Sequence, residues 1–146
     1  MKVVYIAGPF RGPSAWDIEC NIRRAEERAL SVWRLGAVAV CPHANSRFFQ
    51  GAAPDDVWLR GDLELLSRCD AVLLTSEWES SLGTLVEIIK AMDLNIPVFT
   101  KFSSLAVWFY HETVVEVQSE IKAKAVQLCD TRRAKARSGA GQNQSQ

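Results

Sequence analysis

The chain is 146 residues long and 48% hydrophobic, with 17 basic and 17 acidic side chains, which suits one compact domain with a real core and one principal site. Arg132, Arg133, Lys135 and Arg137 all follow Thr131, where there is no acid, so the body is mildly acidic and nucleic acid is not an expected partner. Cys20, Cys41, Cys69 and Cys129 lie far apart with no CxxC pair, and only two histidines accompany them; neither a zinc site nor a disulfide framework is expected, and no metal or other cofactor.

The first predicted element is a strand over Val3 to Ala7. Its apolar run is too short for a signal peptide, and no stretch approaches the ~18 apolar residues of a membrane span, so a soluble, cytosolic protein without membrane contact is expected. Asp17 to Leu35 then carries Ile18, Ile22, Ala25, Ala29 and Val32 at helical spacing, with Gly36 as its stop. There follow a second strand over Ala37 to Cys41, a helix over Asp56 to Arg68 and a third strand over Ala71 to Thr75. A helix over Thr84 to Leu94, closed by Asn95 and Pro97, leads to a fourth strand over Ile96 to Thr100. Each strand is a continuous apolar run rather than an alternating one, as in parallel strands covered on both faces. Cys41 and Cys69 border such runs and read as buried thiols.

This βαβαβαβ order predicts a doubly wound α/β domain, a parallel sheet of four to five strands with right-handed crossovers. A long last helix, roughly Ser104 to Cys129, repeats Val114, Val117, Ile121, Ala125 and Leu128, and suits either covering the sheet or pairing with another subunit. The domain is placed at 1–130, and the Arg-, Lys-, Gly-, Ser- and Gln-rich stretch 131–146 reads as a disordered tail.

In open α/β sheets ligands sit beyond the carboxyl ends of the strands, where the winding direction reverses. With a strand order of 2-1-3-4 the loops GPFRGPSAW and SEWESSLG flank that point, with PHANSRFFQGAAP beside them. GPFRG matches no standard phosphate fingerprint. Gly8 and Gly12 offer open backbone and Arg11 a cation near a helix start, which fits an anionic ligand as well as it fits a tight turn with a solvated arginine. His43 follows a strand end, as a ligand contact or as a turn histidine beside Pro42. Trp16, Trp58 and Trp78 lie near these loops, where one of them could stack on a base; Trp33 and Trp108 read as packing residues, and His111 as facing solvent or an interface.

Two carboxylates carry the chemistry. Thr84-Leu-Val-Glu87 satisfies the capping-box pattern, which makes Glu87 a cap partner of Thr84. Equally, Glu87 falls in the first turn of a helix whose N-terminus faces the cleft, where the dipole favours an ionised, nucleophilic carboxylate. Asp62 interrupts the apolar stripe of Leu59, Leu63 and Leu66. It is either a boundary acid paired with Arg60, Arg68 or backbone, or a carboxylate facing the site. One ionised carboxylate and one that holds a proton are what cleavage of a glycosidic bond requires.

VYIAGPFRG, the PH dipeptide after the second strand, GDLELLSRCDAVLL, and SSLGTLVE before an AxxxxxPV strand, in that order, resemble the nucleoside 2-deoxyribosyltransferase superfamily. Within it they are most similar to the 2'-deoxynucleoside 5'-monophosphate N-glycosidase branch and related phage and bacterial domains. The resemblance spans roughly residues 3 to 100 and implies a flavodoxin-like (Rossmann-like) fold. It also implies a homo-oligomer in which a neighbouring subunit completes the site. It makes Glu87 the nucleophile, Asp62 the partner for the sugar hydroxyl and proton transfer, and Tyr5 the residue that orients Glu87, where composition alone makes Tyr5 an aromatic of a buried strand. Six residues before the glutamate, transferases of this kind carry an acid for the sugar 5'-hydroxyl and the monophosphate hydrolases a serine for the 5'-phosphate. Here that position is Ser81, with Ser80 and Gly83 beside it. A hydroxyl and helix-end amides bind a phosphate dianion that a carboxylate would repel. GTLVE also resembles the GGxGTxxE motif of the lonely-guy phosphoribohydrolases, but Ser-Leu replaces the leading glycines. The expected activity is hydrolysis of a nucleoside or deoxynucleoside 5'-monophosphate to free base and sugar phosphate. Base exchange by deoxyribosyl transfer and non-catalytic nucleotide binding are the alternatives.

Overall fold

Four strands, β1 (Val3–Ala7), β2 (Val38–Val40), β3 (Ala71–Leu74) and β4 (Val98–Phe99), form one sheet in the order β2-β1-β3-β4, every neighbouring pair parallel. In this computed structural model the structure describes residues 1–111; most of the predicted last helix and all of the basic tail lie outside the described residues. The chain divides into two units after Ala106, and the sheet and the helices below all belong to the first.

Strand order 2-1-3-4 puts the reversal of winding between β1 and β3, whose register pairs Tyr5 with Val72 and Ala7 with Leu74. Four helices connect the strands: α1 (Ala15–Leu35), α2 (Pro42–Asn45), α3 (Asp55–Leu66) and α4 (Leu82–Asp93). The architecture is the doubly wound α/β one expected from the element order.

Each strand of the centre is buried on both faces, so consecutive residues face opposite layers. One layer is α1, whose Ile22, Ala25, Ala29 and Val32 are buried at spacings of three and four and which packs on β1 and β2. Alternation assigns Val4, Ile6 and Leu73 to this side. The other layer is α3 and α4: Tyr5, Ala7, Val72 and Leu74 share a core with Leu66, Cys69 and Ala91, and Trp78, Ile88 and Ile96 pack against it.

Helix starts differ from the periodicity, for a local reason. α1 begins two residues early because Ser14 caps it: its hydroxyl accepts from the Asp17 N–H, and the Asp17 carboxylate accepts from the Ser14 N–H at 3.0 Å. Serine and aspartate at this spacing satisfy two of the helix's free donors. α1 ends where Gly36 takes a left-handed φ of 94° and returns its N–H to Trp33, a turn that other residues enter at a cost. Trp33 itself is 52% exposed, not the packing residue expected, because it lies off the buried stripe of α1.

Candidate active site

Tyr5 sits on β1 with its ring in the core and its hydroxyl at the rim of the α4 layer, where it donates a 2.6 Å hydrogen bond to Glu87 Oε1. The two residues are 82 positions apart in sequence and meet because β1 lies at the sheet centre and α4 crosses over the β1/β3 side. Tyr5 is fully buried and Glu87 only 8% exposed.

α4 begins a full turn earlier than the capping-box reading places it. Ser81 is the N-cap, its hydroxyl accepting from the Thr84 N–H at 3.3 Å. Thr84 is therefore inside the helix and buried, its Oγ1 without a hydrogen-bond partner. Glu87 lies in the second turn rather than the first, beyond the reach of most of the terminal dipole. It is no cap residue, since its carboxylate is bonded to Tyr5 on a strand.

The electrostatics change with that position. Burial pushes the Glu87 carboxyl up to about 7, opposed by the Tyr5 hydrogen bond and reinforced by the charge of Asp62. Ionisation favoured by a helix end is thus not what this carboxylate experiences; desolvation dominates. Burial also pushes Asp62 up to about 6. Burial and the two facing carboxylates, Glu87 first, drive the Tyr5 hydroxyl well above its ordinary value, so it stays a donor throughout the accessible pH range. The charge of Asp62 reaches both Glu87 and the Tyr5 hydroxyl, raising each.

The pairing alternatives for Asp62 are taken elsewhere. Arg60 pairs with Asp56 at 3.2 Å and Arg68 with Glu64 at 2.6 Å, each on the exposed side of α3. Asp62 is half-buried on the side from which Leu66 enters the core, beside the Tyr5–Glu87 bond that feels its charge. Trp58 lies one turn before it on α3 and stacks on Phe49, ring centroids 5.6 Å apart, with its indole Nε1 buried and without an acceptor. Phe49 was not foreseen. An aromatic pair, Phe48-Phe49, inside an otherwise polar loop was the available signal.

The remaining predicted residues fall into two groups. Ser81 and Gly83 stand at the start of α4, Gly83 with room around its Cα, beside helix N–H groups that have no intrahelical acceptor. Arg11 is exposed and pairs with Asp55, at the first turn of α3. The others serve the fold of the loops. Gly8 approaches the residue that follows β3 so closely that a Cβ would lie 1.9 Å from Thr75 Oγ1; Gly12 is packed against Asp17 in the same way. Their bareness admits the chain itself, contrary to the expectation of open backbone for a ligand. Ser80 donates to the Glu77 carbonyl at 2.7 Å, in a loop where Glu77 takes a left-handed φ of 62°. His43 is 6% exposed and binds the Pro9 carbonyl through Nε2 at 3.1 Å. Burial holds its pKa below the ordinary value, so the neutral ring donates from Nε2 and pins the first loop. Its Nδ1 is buried without a partner. Trp16 is exposed and Trp78 packs on the core.

A doubly wound sheet with the Tyr5–Glu87 bond on one of its faces, and Asp62 near enough for its charge to be felt there, defines the class of the molecule as a Rossmann-like α/β domain with a candidate acid pair. The chain belongs to the family described as a domain of unknown function, DUF7768, whose model matches residues 2–101. No match was found among curated proteins. Among solved structures the chain is similar to a 2-deoxyribosyltransferase from the psychrotolerant bacterium Bacillus psychrosaccharolyticus, with a TM-score of 0.52 and 19% identity, over 66% of this chain and 69% of that one. At that identity the likeness is one of fold. The family model ends at Lys101, close to the end of the first unit, so the family and the sheet cover the same part of the chain.

Proposed function

We propose that the chain is a cytosolic N-glycosidase that hydrolyses a nucleoside or deoxynucleoside 5'-monophosphate to free base and sugar 5-phosphate. The observation that carries this reading is the buried Tyr5–Glu87 hydrogen bond, within reach of the Asp62 charge. In this reading Glu87 attacks the anomeric carbon, the base leaves as it is protonated, and water then releases the sugar from the enzyme. Asp62 handles the sugar hydroxyl and transfers the proton. Tyr5 holds the Glu87 carboxylate in its attacking orientation and stabilises its charge. A nucleophile must be ionised; Asp62, raised to about 6, loses its proton before Glu87, raised to about 7, so turnover in this reading runs through the minor form in which Glu87 is ionised and Asp62 still holds its proton.

The 5'-phosphate is supported by the start of α4. Ser81, Gly83 and the free N–H groups of the first turn are donors without a competing acid, as a dianion needs. Arg11 and Asp55 form an exposed pair, which is worth at most about 1 kcal/mol, so the guanidinium can exchange a carboxylate for a phosphate. Cys20, Cys41 and Cys69 are all free thiols, in keeping with a reducing compartment. A homo-oligomer goes with the reading.

Base exchange is the second reading, and the solved 2-deoxyribosyltransferase of similar fold favours it. Incubation of the protein with nucleosides and with their 5'-monophosphates, with and without an acceptor base, separates the two by chromatography of the released base. Release from monophosphates without acceptor is the expected result. Products only in the presence of acceptor establish transfer. No turnover across the panel, together with normal nucleotide binding by Glu87→Gln, overturns both in favour of a non-catalytic nucleotide binder.

A further inference from the structure

α4 has two apolar faces and the fold uses one of them. Thr84, Glu87 and Ala91 are buried and Ile88 packs on the core. On the opposite face Leu82, Val86, Ile89 and Met92 are 81%, 41%, 59% and 64% exposed. A surface helix ordinarily sets charged and polar residues there, and a continuous row of exposed aliphatic side chains marks an interaction surface.

The pattern of the row states what fits it. Leu82, Val86, Ile89 and Asp93 follow one another at spacings of four, three and four, so they lie in one line along the helix. Such a row is symmetric under reversal. Laid antiparallel on a second α4 about a two-fold axis between positions 87 and 88, Val86 meets the partner's Ile89, and Leu82 meets the partner's Asp93. Asp93 is the last residue of α4, where its charge opposes its own helix dipole. Across the two-fold it reaches the first turn of the other helix, which has no acid of its own and whose leading N–H groups lack intrahelical acceptors. The charge that is misplaced for its own helix is correctly placed for a copy.

We propose that this face of α4 is the two-fold interface of a homodimer, occupied by α4 of a second copy. The proposal deepens the homo-oligomer of the functional reading by naming its seam, but it rests on the surface of α4 and not on the chemistry of Glu87, so the two fail separately. The buried and the exposed face belong to one helix, and an isologous contact on the second also steadies the first turn that carries Ser81.

The test uses the full chain. Sedimentation of the wild type is expected to give a concentration-dependent dimer, and Ile89→Glu to weaken it by roughly 100-fold, the loss of a central apolar contact. Thermal unfolding of Ile89→Glu under monomer conditions serves as the folding control, since the side chain is exposed. A second measurement does not depend on that variant: Val86→Cys mixed with Ile89→Cys is expected to give an intermolecular disulfide that neither protein gives alone. A wild-type monomer at all concentrations, or a dimer indifferent to Ile89→Glu and without the mixed disulfide, overturns the proposal. So does a Val86→Cys thiol protected equally at every concentration, which assigns the face to residues 112–146 of the same chain. Base release measured on the same samples keeps the readings apart. An inactive dimer removes the nucleotide reading and leaves the seam, and an active monomer does the reverse.

Discussion

The two faces of the sheet are built from alternate residues of the same strands, yet they are put to different use. On the α1 side, Val4, Ile6 and Leu73 meet Ile22, Ala25, Ala29 and Val32, with hardly a polar atom among them. On the α3/α4 side, the next residue of β1 is Tyr5, which bonds Glu87 and feels the charge of Asp62, and α4 buries a Thr84 hydroxyl without a partner one turn before Glu87. Burying a carboxylate is costly even when hydrogen-bonded. The α1 face can supply stability while the opposite face carries that cost, and a one-residue alternation is enough to separate the two roles.

Replacing Glu87 breaks the comparison most completely. Glu87→Gln keeps the volume and an acceptor for Tyr5, so the chain is expected to fold, while base release falls by on the order of 10³-fold or more, as for loss of a nucleophile. Ile22→Ala is the mirror experiment on the other face: a loss of about 2–5 kcal/mol in chemical denaturation, with activity per folded molecule unchanged. Equal damage to activity from both variants would show that the division between the faces is not real.

Asp62→Asn is expected to lower the rate by roughly 10²-fold, the scale of general acid–base assistance, and to remove one limb of a pH–rate profile whose limbs fall at about 6 and about 7. Tyr5→Phe is smaller, about 10-fold in rate, and deprives Glu87 of the hydroxyl that donates to its carboxylate. Its distinguishing mark is an upward displacement of the Glu87 limb, which a merely structural loss does not produce.

The pH dependence of stability is the smallest effect and has a definite sign. Glu87 is raised from 4.5 to about 7 on folding, so between those values the native chain holds more proton than the unfolded one. Stability therefore falls as pH rises through that window and is level above it. A loss on the order of 1–3 kcal/mol between pH 5 and pH 8 is expected in wild type, and Glu87→Gln is expected to flatten most of it. A flat wild-type profile would place Glu87 in solvent-like surroundings and remove the desolvated acid from the argument.

The candidate pair was legible in sequence for different reasons. Asp62 was visible because it breaks a leucine stripe, a violation that periodicity exposes. Glu87 was visible from its motif, but its environment was misread: ThrxxGlu is a capping pattern, and only the position of Ser81 moves the helix start back and turns Glu87 into the second turn. In sequence, His43, Gly8 and Gly12 fit ligand contacts and turn residues equally well, because loops of α/β sheets supply both. In the folded chain His43 on α2 holds the Pro9 carbonyl, Gly8 lies against Thr75 and Gly12 against Asp17 of α1, since a buried loop must satisfy its own carbonyls and close approaches first.

Alternation, apolar run length and capping residues are local properties, so the sequence by itself determined the order of elements, the parallel sheet and which stripe of α1 is buried. The strand order follows from that with one assumption about winding. The pairing of Tyr5 with Glu87, the desolvation that raises both carboxyls, and the second apolar face of α4 were decided only by tertiary structure. Each depends on which surfaces come together in space, and distance along the chain carries no information about dielectric surroundings.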